Sequence, residues 1–185
     1  SAGAVALAGI APSIARAQGG AAGRVVVVGG GFGGATAARY LKLYNPSLDV
    51  TLVEPAARFF TCPFSNLVLG GLRTMDQISH GYDGLRAIGI KVVPEAAADV
   101  DATGRTVTLS GGGKLPWDKL VLSPGIDMRW GAIAGYDEAA SLLAPHAWKA
   151  GPQTVLLKSQ LQAMPDGGLV IMSVPANPYR CPPGP

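Results

Sequence analysis

Little in this sequence is charged, aromatic or sulfur-bearing. Of its 185 residues, 15% are Asp, Glu, Lys or Arg, 6% are Phe, Trp or Tyr, two are cysteine and two are histidine. The net charge of +3 comes with no run of Lys or Arg, so the clustered basic stripe of a nucleic-acid groove is missing. Sparse aromatics likewise offer no stacking platform for bases. There is no C-x-x-C pair, and His80 and His146 have no ligand spacing, so no metal centre is expected and both histidines read as surface or capping residues. Without C-x-x-C-H, covalent haem is not expected on this chain. No apolar run reaches the roughly 20 residues that a membrane-spanning helix needs.

Apolar residues and turn formers are plentiful instead: 48% are hydrophobic, with 26 glycines and 15 prolines. Such a chain is neither disordered nor a coiled coil, and its length allows one domain, or one plus part of a second.

Ser1 to Ala11, SAGAVALAGIA, followed by Ala15-Arg16-Ala17, reads as the tail of a secretory leader ending at an A-x-A site. Residues 1–17 are therefore expected to be a leader remnant and the protein to be exported, which means periplasmic. The alternative is an alanine-rich N-terminal helix. A charged leader start and an initiator Met are missing, so the chain is expected to be cut at its start.

The densest signal follows. Arg24 to Gly34 reads RVVVVGGGFGG: a four-valine strand, then G-x-G-x-x-G at Gly29, Gly31 and Gly34. A helix-compatible stretch from Ala35 to Tyr44 ends at Asn45-Pro46, and a second apolar strand, Asp49 to Glu54, ends in an acid. Strand, glycine turn, helix, strand and terminal carboxylate form a dinucleotide-binding fingerprint. Gly29 permits the sharp turn, Gly31 lets the backbone approach a pyrophosphate, and Gly34 lets helix and strand pack closely. The helix N-terminus offers unpaired N–H groups to phosphate, and Glu54 is placed for ribose hydroxyls. Ala38 keeps the helix face small against the sheet. The pattern does not separate FAD from NAD, but an acid at position 54 argues against a 2′-phosphate, hence against NADP.

Downstream, Phe59, Phe60, Phe64, Leu67, Val68 and Leu69 are too apolar for a solvent loop and are expected beside a bound cofactor. The pattern predicts a helix over Met75 to Ile88, a strand over Ile90 to Val93, and a β-meander around Val100, Val107 and Leu109. It further predicts a return strand over Leu120 to Gly125 and a helix over Pro152 to Met164 with a stripe of Val155, Leu156 and Leu161. Gly168 to Val174 reads as one more buried strand. This gives an α/β chain: a dinucleotide-binding domain over 18–150 and the start of a second βα unit over 151–185. The closing PANPYRCPPGP is too rich in proline to cradle phosphates, so this second unit is not expected to bind a pyridine nucleotide, and the chain is expected to be cut at its C-terminus as well.

Cys62 and Cys181 pair with each other by the default for an exported protein. Against that, each follows a dinucleotide-type strand, where loops carry ligands.

Taken together, VVVVGGGFGGATAARY, DVTLVEP, TCPFSN, HGYDGLRA, PHAWKAG and YRCPPGP resemble the flavoprotein subunit of flavocytochrome c sulfide dehydrogenase. That family is related to sulfide:quinone oxidoreductases and to glutathione-reductase-like flavoproteins. The resemblance implies a Rossmann-like FAD-binding domain with a thioether from Cys62 to the 8α-methyl of FAD. It implies that Cys181 is the catalytic half of a redox-active disulfide whose partner lies beyond Pro185, with sulfide as substrate and a c-type cytochrome subunit as electron acceptor. Arg180 beside Cys181 either lowers the thiol pKa or is a solvated neighbour. Two other readings stand beside this one: a sulfide:quinone oxidoreductase, and a non-catalytic flavin-binding electron-transfer module. On any of them the isolated 185-residue chain is expected to be inactive.

Overall fold

The computed structural model describes residues 23–173. The leader-like stretch over 1–17 and the cysteine at position 181 lie outside the described residues.

The four-valine run is the central strand, β1 (Arg24–Val28). A thirteen-residue helix, α1 (Phe32–Tyr44), returns the chain to β2 (Asp49–Val53), which pairs parallel to β1. Then come a two-residue strand β3 (Phe59–Phe60), a short helix α2 (Ser65–Leu69), a two-residue strand β4 (Ser79–His80) and a short helix α3 (Asp83–Ala87). Strand β5 (Lys91–Val93) adds parallel to β2. An antiparallel meander of β6 (Ala97–Asp101), β7 (Thr106–Leu109) and β8 (Lys114–Pro116) follows. Strand β9 (Lys119–Leu122) then pairs parallel to the other side of β1. The main sheet therefore runs β5-β2-β1-β9. Helix α4 (Pro152–Ala163) packs against α2.

Alternation along β1 explains why four valines are needed. Successive side chains of a strand face opposite sides. Val25 and Val27 join Ala38, Val50, Leu52, Tyr82, Leu85 and Ile90 in a core under α1 and α3. Val26 and Val28 join Val53, Val107 and Leu109 in a second core under the meander. With both faces covered, the strand reads as one apolar run. Each fully buried Val or Leu contributes about 1.5–3 kcal/mol. Ala38 is fully buried, as its small size suggests.

Three expectations are corrected. The segment from Met75 to Ile88 is not one helix. It divides into a 3₁₀ turn at Asp76–Ile78, strand β4 and the one-turn α3. Ser79 and His80 pair instead with Phe60 and Phe59, and Gly81 and Gly84 weaken a continuous helix. Helix α4 does not bury the foreseen stripe: Thr154 is its buried residue, and Val155 is exposed. Finally, residues 168–173 form no strand, and Leu169 and Ile171 are 82% and 80% exposed. An apolar run becomes a strand only beside another strand's N–H and C=O groups, and none among the described residues pairs with it.

Candidate functional site

The parallel register brings the site together. Val28 stands opposite Val53 on one side and Leu122 on the other, so β1, β2 and β9 end level. The residues that follow them, Gly29, Glu54 and Ser123, share the carboxyl edge of the sheet, where open α/β folds bind ligands. Backbone bonds stitch this edge: Gly29 N–H donates to Val53 O at 2.9 Å, and Ser123 N–H to Val28 O at 2.8 Å.

The glycines of the turn have different reasons to be glycine. Gly29 has φ +96°, and a Cβ there would overlap the Ser123 carbonyl. A Cβ on Gly34 would overlap the Gly29 carbonyl oxygen. Both are demanded by the fold itself. Gly31 is not: its φ is −70°, and a Cβ there would meet only the Phe59 ring, at 3.4 Å, an ordinary contact. Its bareness leaves space in front of the turn rather than inside it.

Gly31 is also the N-cap of α1. No side chain caps this helix, and its first turn carries no acid. The first-turn amides lack intrahelical acceptors, and with the helix dipole they favour an anion. Alongside lies a groove of about 640 Å³, lined among others by Gly30, Gly31, Phe32, Arg39, Phe59 and Tyr82. The Phe32 and Phe59 rings meet edge to face at 5.1 Å.

Glu54 does more than the sequence suggests. Its Oε2 accepts the Gly30 N–H at 2.7 Å, and its Oε1 accepts the Ala56 N–H at 2.8 Å. The carboxylate thus braces the glycine turn from the end of β2, and each oxygen keeps a further lone pair. Opposite it, the buried Tyr82 donates its hydroxyl to the Gly30 carbonyl at 3.1 Å. Burial, helped by the negative charge of Glu54, pushes the Tyr82 phenol up to about 12, so it remains a donor at neutral pH. Sequence reasoning missed Gly30, Tyr82 and Ser123. The triple glycine was visible, but nothing in it indicates a tyrosine 52 positions away.

Cys62 follows β3 in a turn held by Thr61 N–H to Ile78 O at 2.8 Å and Ser65 N–H to Cys62 O at 3.0 Å. The thiol is exposed, and among the described residues it forms no disulfide. Its Sγ lies 3.8 Å from the carbonyl oxygen of Trp148. The words TCPFSN and PHAWKAG, 86 positions apart at these residues, therefore meet in space. In the second word His146 is half-buried rather than on the surface. It stacks obliquely near Trp130, with ring centres 6.3 Å apart, and burial, reinforced by Lys149, lowers its pKa despite Asp127. His80 is exposed at the groove. Among the described residues, no group of three or more His, Cys, Asp or Glu is placed to hold a metal ion, and no helix is long and apolar enough to cross a membrane.

Comparison with known proteins matches this arrangement. A family model described as pyridine nucleotide-disulphide oxidoreductase covers residues 23–153. Another, described as the central part of the sulfide dehydrogenase (flavocytochrome c) flavoprotein chain, covers residues 154–185. The chain is 69% identical over 45 residues to the sulfide dehydrogenase (flavocytochrome c) flavoprotein chain of Chlorobaculum thiosulfatiphilum, a match spanning 24% of this chain and 94% of that sequence. It is 32% identical over 153 residues to a sulfide-quinone reductase of Aquifex aeolicus, across 82% of this chain and 34% of that protein. The solved structure of the Aquifex aeolicus sulfide:quinone oxidoreductase superposes with a TM-score of 0.62 at 27% identity, covering 75% of this chain and 31% of that one. The chain thus spans about a third of the length of that relative.

Proposed function

Since this chain belongs to the pyridine nucleotide-disulphide oxidoreductase family, we propose that it is the FAD-binding part of a sulfide-oxidising flavoprotein of the flavocytochrome c type. Gly31 carries this reading: its missing side chain serves no packing need of the fold, yet it keeps open the approach to an uncapped helix N-terminus. In this reading Gly29, Gly31, Gly34 and the first turn of α1 hold the pyrophosphate. Glu54 accepts the ribose hydroxyls with the lone pairs left over from bracing the turn. Cys62, an exposed thiol on the turn after β3, tethers the flavin through a thioether. FAD, when bound, supplies a two-electron acceptor able to release electrons singly to a haem partner.

Sulfide chemistry falls to Cys181, as one half of a disulfide with a second cysteine of the full-length protein. Hydrosulfide attacks one sulfur, the S–S bond breaks, and a persulfide forms on that sulfur while the other leaves as a thiolate. The partner in this proposal is a c-type cytochrome subunit and the location is the periplasm, supported by the leader-like residues 1–17.

The test uses the full-length protein, purified from its natural host. We expect flavin that stays with the protein after acid precipitation, bleaching of the flavin spectrum by sulfide, and reoxidation by cytochrome c. Reoxidation by a quinone alone moves the assignment to the sulfide:quinone oxidoreductases, the reading favoured by the Aquifex aeolicus relative. Protein that carries no flavin and shows no response to sulfide overturns the proposal.

A further inference from the structure

The glycine turn is held from below as well as from the side, and we infer that Tyr82 is a positioning residue for the dinucleotide phosphates, acting through the Gly30 peptide. This inference rests on the flavin-binding reading above. Tyr82 is 5% exposed, with its ring in the core beneath α1 beside Val25, Val27 and Leu52. Its hydroxyl reaches the Gly30 carbonyl at 3.1 Å, while the Gly30 N–H is held by Glu54 at 2.7 Å. Both polar atoms of one turn residue are thus fixed by side chains 52 and 24 positions away. The clamp closes tightly enough that a Cβ on Gly30 would lie 2.5 Å from the Tyr82 hydroxyl oxygen and 2.7 Å from Glu54 Cγ.

The geometry of the peptide bond gives this clamp its consequence. In a trans peptide the C=O and the following N–H point in opposite directions. With the Gly30 carbonyl drawn to Tyr82, the Gly31 N–H points away from the tyrosine. Glycine on both sides of that peptide leaves rotation of its plane sterically open. A half-turn would reverse the N–H and present a carbonyl oxygen in its place, which repels an anion. The Tyr82 hydroxyl opposes that flip by satisfying the carbonyl in one orientation only. A donor aimed before the ligand arrives avoids an ordering cost on binding.

The experiment uses the full-length protein carrying Cys62→Ser, so that FAD exchanges reversibly, and reads the FAD dissociation constant by flavin fluorescence alongside the melting temperature of the flavin-free chain. Tyr82→Phe is expected to raise the dissociation constant about tenfold, since a buried carbonyl loses its partner. The control Ile90→Ala loosens the same apolar cluster without touching the turn. It lowers the melting temperature and leaves the dissociation constant within about twofold. Incorporating 4-aminophenylalanine at position 82 restores an N–H donor and brings the affinity back. If Tyr82→Phe does not accumulate as folded protein, 4-fluorophenylalanine at that position fills the volume without a proton and is expected to show the same loss. Unchanged affinity in a folded variant overturns the inference alone, as does a loss that the amino analogue fails to recover. A full-length protein that keeps Cys62 and still binds no FAD overturns the flavin reading as well.

Discussion

Gly34 lies against Gly29 so closely that a single added methyl on Gly34 would overlap the Gly29 carbonyl oxygen. The first turn of α1 and the end of β1 share one space, and the contact belongs to the fold whether or not a ligand is present. Gly34→Ala is therefore expected to destabilise the protein by about 1–3 kcal/mol through overpacking. Urea denaturation of the flavin-free chain measures it; an unchanged midpoint would mean the turn relaxes freely.

Gly31→Val should behave in the opposite way. Its backbone conformation suits any residue, and the space beyond it is open apart from the Phe59 ring. We expect a folded protein, within about 1 kcal/mol of the parent in urea, that retains no flavin. Normal flavin content in this variant contradicts the placement of the pyrophosphate before Gly31.

Cys62→Ser separates tethering from binding. The glycine turn and Glu54 remain, so FAD is expected to copurify but to be released by acid, whereas the parent keeps it. Absorbance of the acid supernatant near the flavin maximum distinguishes the two. Complete absence of FAD before acid treatment would show that the sulfur bond is the main source of affinity.

A prediction about pH comes from the far end of β1. Arg24 donates to Asp118 through both its side chain and its backbone N–H, at 3.1, 2.8 and 2.7 Å. The hydrogen bonds to Arg24 hold the Asp118 carboxyl well below the usual range. A carboxylate depressed in the folded state adds stability that is complete above its unfolded pKa of about 3.9 and is lost as pH falls toward the folded value. Asp118→Asn should lower stability at pH 7 modestly, because the pair is exposed, and should flatten the fall in stability below about pH 4. Urea midpoints from pH 7 to pH 2 test this; parallel curves for parent and variant would remove Asp118 from the acid response.

The first thirty residues of the fold were readable as a string because their information is local. Four valines in a row make a strand covered on both faces, Gly29 takes the positive φ of the tight turn, Gly34 is required by Gly29 five positions away, and the terminal acid marks the end of β2. The meander and the return strand were legible for the same reason, from short apolar runs between turn signals. Local patterns failed between Met75 and Ile88, where helical periodicity was present but Ser79 and His80 were taken by β3. They failed again over 168–173, where no strand among the described residues pairs with the apolar run. In the first case the deciding partner, β3, lies about twenty positions away.

The sequence by itself determined the α/β class, the glycine turn, the helix behind it and the residue types available for a dinucleotide. Only the tertiary structure decided that Glu54 braces Gly30, that Tyr82 grips the same peptide from the core, and that Cys62 meets the Trp148 backbone. Periodicity and turn chemistry act over a few residues, whereas these contacts join groups 24, 52 and 86 positions apart. Parallel pairing of β1 and β2 brings Glu54 level with the glycine turn, whereas Tyr82 and Cys62 are placed by the antiparallel pair of β3 and β4.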